Sequence, residues 1–161
     1  MVNATMDLLI NSLLVWIQLH TEYDTRSLPH PQVIMMTPKE LTSELYADAP
    51  ALAPANGIDH RINALYAFET GESGTIFIKH PTLVEDSDRF ASPLDNPKFR
   101  EILLHELIHH VQWHTGEAQQ WQCPKQGETE AYLLGAKYLE QHDTADPLYD
   151  RWFWANSYAI C

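Results

Sequence analysis

The segment His105-Glu106-Leu107-Ile108-His109 constrains this chain more than any other stretch, because its two histidines stand four residues apart in a run that only an α-helix makes coherent. On a helix, residues at i and i+4 stack on one face, so both imidazoles can turn toward a single metal ion while Glu106 stands one position round beside it. Leu103, Leu104, Leu107, Ile108 and Val111 follow helical spacing and leave the histidines on a stripe of their own. Asn96 reads as the cap of this helix, Pro97 as its first residue and Gly116 as its stop. H-E-x-x-H on one helix is the arrangement in which two histidines bind zinc and the glutamate takes a proton from water.

A catalytic zinc usually has three protein ligands and one open position. Glu128, nineteen residues after His109, supplies a third candidate from a second helix that continues through Leu133-Leu134-Gly135-Ala136-Lys137-Tyr138-Leu139. Glu130 competes for the role but lies about 200° from Glu128 on the helical wheel, so the two cannot face one metal. Glu128 is favoured because its i+4 neighbour Tyr132 would face the site with it. His110 and His114 form another i, i+4 pair on a rotated stripe and read as exposed histidines, with a substrate or oxyanion role as the alternative.

H-E-L-I-H followed by E-x-x-A at Glu128 to Ala131 resembles the gluzincin metallopeptidases, in particular their compact single-domain forms, the minigluzincins. The likeness extends in general plan over about residues 60–142, and its specific part is the two helix motifs. It implies that His105, His109 and Glu128 bind zinc and that Glu106 is the general base of peptide-bond hydrolysis. The better-known gluzincins carry an aspartate four residues after the glutamate ligand, where it orients the first histidine; this chain has Tyr132. Its phenol can accept from that imidazole or donate to the oxyanion of a reacting carbonyl. The alternative reading is a zincin-like metal-binding or protein-interaction module with little or no turnover.

Composition narrows the partners. Ten Lys+Arg against 22 Asp+Glu give a net charge of −12, and no basic cluster could follow a phosphate backbone, so nucleic acid is not an expected partner. A peptide or protein substrate is. Cys123 and Cys161 make no disulfide framework; Cys161 reads as a bystander, Cys123 as a remote metal-ligand candidate, and such sparing use suits a reducing, cytoplasmic setting. The apolar run from Leu8 to Leu19 lacks a basic start and is broken by Asn11, Ser12 and Gln18, so it reads as a helix packed on the core and not as a signal peptide or transmembrane segment.

The remaining elements follow local signals. Residues 31–36 suggest a strand, and Thr37-Pro38-Lys39-Glu40 combines a capping box with proline at the first position of a short helix reaching Tyr46. Leu65 to Phe68 and Thr75 to Ile78 read as a hairpin around Gly71 to Gly74. By the resemblance, Thr75 to Lys79 is the candidate cleft edge that pairs with an extended substrate. Glu85, Asp86 and Asp88 read as a solvated acidic loop. Asp146-Pro147 suggests the start of a last helix whose Tyr149, Trp152, Phe153 and Tyr158 are expected in the core. The expected fold is a single α+β domain over residues 1–161: an N-terminal helix, a small and mainly antiparallel sheet, two central helices bearing the zinc ligands, and a C-terminal helix.

Overall fold

The computed structural model describes residues 2–68 and 72–161, with side chains from residue 5 onward. It is α+β, with α1 at Val2–His20, β1 at Gln32–Met36, α2 at Pro38–Leu45, β2 at Ala64–Ala67, β3 at Thr75–Lys79, α3 at Pro97–His114, α4 at Gln126–Gln141 and α5 at Arg151–Tyr158. Helix α3 is the axle. Phe99, Leu103, Leu104, Leu107, Ile108 and Val111 are all fully buried along it, as expected of a helix surrounded by other elements. Asn96 caps it by accepting from the Lys98 amide, Pro97 takes the first position, and Gly116 follows the end at φ +84°, a conformation open to glycine without a Cβ penalty.

Against α3 packs α1, which buries Met6, Leu9, Ile10, Leu13, Leu14 and Ile17 at helical spacing. No helix among the described residues is long and apolar enough to cross a membrane. Helix α2 starts with the capping box read from sequence: the Glu40 amide donates to Thr37 Oγ1, and the Thr37 amide donates to the Glu40 carboxylate at 2.8 Å.

The sheet departs from expectation. Its order is β1-β3-β2, with β2 antiparallel to β3 and β1 parallel to β3, so it is mixed and not mainly antiparallel. The hairpin is as read, although part of its turn, residues 69–71, lies outside the described residues. The parallel pair arises because the chain leaves β1 through α2 and returns far enough away for β3 to run alongside it, a crossover that a tight hairpin turn cannot make. Ile76 and Ile78 on β3 are fully buried in the core cluster beneath α3.

Two expectations about the C-terminal region are overturned. Helix α5 begins at Arg151, past Asp146-Pro147, and the residue before it, Asp150, sits at φ 58° and makes no side-chain cap. Asp146 is engaged elsewhere, accepting two hydrogen bonds from the Arg151 guanidinium at 2.6 and 2.8 Å. Three of the four aromatics expected in the core lie outside it, since Tyr149, Trp152 and Phe153 are exposed; Tyr158 is half-buried against Tyr132, and Arg151 and Ala155 are the buried residues of α5. Cys161 is no bystander, since it forms a disulfide with Cys123 and ties the segment after α5 to the α3–α4 connection.

Candidate metal centre

Helix α3 presents His105 and His109 one turn apart, and the first turn of α4 brings Glu128 against them. His105 Nε2 stands 3.0 Å from Glu128 Oε2, His109 Nε2 3.4 Å from Glu128 Oε1, and the two Nε2 atoms 3.2 Å from each other. Donors at the corners of a tetrahedron of radius about 2.0–2.1 Å stand about 3.3–3.4 Å apart. The triple could therefore hold a metal ion, with a suitable donor chemistry and with separations close to that spacing, the two Glu128 contacts being made by its two oxygens. Among the described residues it is the one group of His, Cys, Asp and Glu arranged to hold a metal.

Electrostatics agree with a site made for positive charge. Burial would push His109 down, but the Glu128 hydrogen bond and the nearby Glu106 and Glu128 carboxylates overcome it and raise the imidazole to about 9. Burial would likewise raise Glu128, yet hydrogen bonds to His105 and His109 hold it well below the usual carboxylate range. Both shifts express one mutual attraction, in which the carboxylates favour positive charge on the histidine side of the site.

Glu106 is buried, and burial pushes its carboxyl upward, with the Glu128 and Glu101 charges adding to the effect and the two histidines opposing it. It lines a cavity of about 830 Å³ together with His105, His109, Glu128 and Tyr132. No hydrogen bond engages its carboxylate among the described residues, so its oxygens are available to a proton-bearing guest in that cavity. Tyr132 lies with its ring edge-on to His105, centroids 5.0 Å apart, and stacks on Tyr158 at 5.6 Å. Its hydroxyl accepts nothing from His105, so the role of histidine-orienting acceptor that the tyrosine could have taken is not filled.

A family model described as a domain of unknown function (DUF6647) matches residues 3–154. The chain belongs to that family. No curated protein and no solved structure matches it.

Within this DUF6647 chain, several sequence expectations change place. Glu130 points away from the triple and accepts from Tyr23 Oη at 2.8 Å and from Gln112 Nε2 at 2.9 Å, which removes it as a competing ligand. His110 is not exposed: it is fully buried, its Nε2 donates to the Pro29 carbonyl at 2.7 Å, and its Nδ1 accepts from Tyr66 Oη at 3.1 Å. Burial lowers its imidazole to about 4. His114 packs on His110 at 4.4 Å, and its Nε2 is buried without a hydrogen-bond partner among the described residues. The stripe bearing these two faces β2 and not solvent, because α3 is enclosed on more sides than an amphipathic pattern suggests. Cys123 lines the cavity wall but is committed to its disulfide.

The candidate edge also moves. Strand β3 is central, with a neighbour on each side, so Thr75 to Lys79 cannot receive an added strand. The cleft edge is β2, whose Ala64, Leu65 and Tyr66 line the cavity. The acidic loop holds no cluster; Glu85 and Asp86 pair with Lys98 Nζ at 3.0 and 2.7 Å.

Sequence reasoning did not single out three residues that support the site. Glu101, one turn before His105, forms a buried ion pair with Arg151 at 2.7 Å, locking α5 beneath Tyr132. Gln112, one turn after His109, is buried and hydrogen-bonded to it at 3.0 Å. The signal for both was their helical spacing from the motif histidines.

Proposed function

We propose that this protein is a zinc-dependent hydrolase that cleaves peptide bonds in a peptide or protein substrate, in the manner of a compact gluzincin. The observation that carries the reading is the convergence of His105, His109 and Glu128 at separations that could hold one metal ion, with Glu106 beside them on the wall of an open cavity. Zinc held there would supply Lewis acidity toward a carbonyl oxygen and toward water. Glu106, buried and shifted upward toward neutrality, is suited to take a proton from water and return it to the departing amine. Tyr132 lines the same cavity and can donate its hydroxyl proton to a developing oxyanion. The Ala64 to Tyr66 edge can hold an extended backbone beside these groups, which gives affinity through main-chain hydrogen bonds with little demand on sequence.

A second reading, a metal-binding module without turnover, is favoured by one observation: Tyr132 packs its ring on His105, and among the described residues none takes the place of the acceptor that fixes this imidazole in better-known gluzincins. Metal analysis of the purified protein beside Glu106→Gln, with cleavage of a peptide library measured on both, separates the two. Zinc in both proteins and cleavage only by the wild type supports the hydrolase; zinc without cleavage in either supports the module. As for location, the argument from sparing cysteine use for the cytoplasm is lost once Cys123 and Cys161 are joined. We infer an oxidising compartment, where such a bond persists.

A further inference from the structure

Glu130, set aside as a ligand, stands at the far end of a hydrogen-bond chain that reaches the site from behind. His109 Nδ1 lies 3.0 Å from Gln112 Oε1; Gln112 Nε2 lies 3.2 Å from the Gly127 carbonyl and 2.9 Å from Glu130 Oε2; and Tyr23 Oη donates to the same oxygen at 2.8 Å. The orientation of the Gln112 amide follows from chemistry. Its nitrogen side faces a carbonyl and a carboxylate, which only accept, so the atom facing His109 is the oxygen. An amide oxygen only accepts, so His109 Nδ1 carries a proton and donates it. With Nδ1 keeping its proton, Nε2, the atom that faces His105 and Glu128, is the nitrogen whose lone pair a cation can take once the proton there leaves.

The surroundings keep this chain in place. Gln112 is buried, and the first turn of α4 approaches it so closely that a Cβ at Gly127 would stand 2.9 Å from Gln112 Oε1 and would overlap the Trp121 ring. The chain spans three segments: α3, α4 and the loop after α1. We propose that Gln112 is a positioning residue for the metal centre, holding His109 in its Nδ1–H form and passing the charge of Glu130 to that imidazole, so that Nε2 is a better donor to a cation. The proposal rests on the metal-site reading above. It gives Glu130 and Tyr23 a role in affinity without contact with the metal.

The test is a zinc titration of the full chain against a chelating indicator, run on wild type, Gln112→Leu, Gln112→Glu and the exchange Gln112→Glu/Glu130→Gln. Loss of an outer hydrogen-bond partner of a metal-binding histidine typically costs about 10–100-fold in affinity, and Gln112→Leu is expected to lose that much. Gln112→Glu alone sets two carboxylates in hydrogen-bond contact and is expected to fold less stably. The exchange restores one acceptor for His109 and one amide donor between the carboxylate and Tyr23. Its zinc affinity is expected to return to within a few-fold of wild type, or above it. A purely space-filling Gln112 would give no recovery in the exchange.

Proton–nitrogen correlation NMR of the His109 ring supplies an independent readout on metal-free protein, recorded at a pH above the imidazole's own titration so that the ring is neutral and holds one proton. A protected Nδ1 proton is expected in wild type and in the exchange, and its loss in Gln112→Leu. Unchanged zinc affinity in Gln112→Leu, or an unprotonated His109 Nδ1 in wild type, overturns the proposal. Absence of zinc binding by wild type overturns the metal-site reading instead, and the NMR result still decides whether the chain holds His109 as described.

Discussion

Replacing Gly135 with alanine sets two effects of known size against each other. Gly135 lies inside α4, where glycine costs roughly 0.5–1 kcal/mol relative to alanine, so local propensity alone makes the substitution stabilising. In the fold, a Cβ at this position would overlap Glu101 Oε1 and stand 2.9 Å from Arg151 Nη1. Those atoms belong to an ion pair 2.7 Å long whose side chains are 6% and 5% exposed. Arg151 cannot swing aside freely, because Asp146 also holds it through two hydrogen bonds. Losing one partner of a buried pair costs about 3–5 kcal/mol. Set against the propensity gain, the expected net loss is about 2–4 kcal/mol. For a chain of this size that is roughly 4–16 °C in Tm. Urea unfolding of the metal-free protein followed by circular dichroism measures it. In a Glu101→Ala/Arg151→Ala background both obstructing side chains are gone, and Gly135→Ala should then stabilise by up to about 1 kcal/mol relative to that background. A Gly135→Ala protein as stable as wild type, or a destabilisation equal in both backgrounds, would refute the reasoning.

His105→Ala and His109→Ala should lose zinc in a chelator titration and some zinc-dependent stability with it, since site formation couples binding to folding, whereas Glu106→Gln should keep metal and fold while losing any hydrolysis. Glu128→Ala should weaken zinc binding by more than 100-fold, and Glu130→Ala by only about tenfold through the outer chain; the reverse order in the same titration would return Glu130 to the metal. His110 titrates near 4 in the fold against 6.5 when free, so between those values the unfolded chain holds a proton that the folded one lacks. Stability should therefore rise with pH across that window, by up to about 3 kcal/mol, and the slope should flatten in His110→Gln, as read by urea unfolding at stepped pH. Opening the Cys123–Cys161 bond, which closes a 38-residue separation, should cost up to about 4 kcal/mol on the loop-entropy argument, measured by comparing Cys123→Ser/Cys161→Ser with wild type.

What the sequence by itself determined was local. The i, i+4 geometry of His105 and His109, the Asn96 cap, the Thr37 capping box and the β2–β3 hairpin are all set by interactions within a few residues, and such interactions are the same in any fold that keeps the helix or turn. The choice of Glu128 over Glu130 was also legible, because helical periodicity puts them on opposite faces, although only the packing of α4 on α3 decided which face meets the histidines. Tertiary structure alone decided the rest. Whether β1 joins β3 in parallel, whether β2 or β3 forms the cleft edge, and whether His110 is buried all depend on which surfaces meet across long stretches of chain. The exposed aromatics of α5 are the clearest case: Trp152 and Phe153 have the side chains of a core, yet the fold buries Arg151 and Ala155 instead. The Glu101 carboxylate on α3 needed a cation at that point, and once Arg151 turned inward to meet it, the rigid helix carried the aromatics outward.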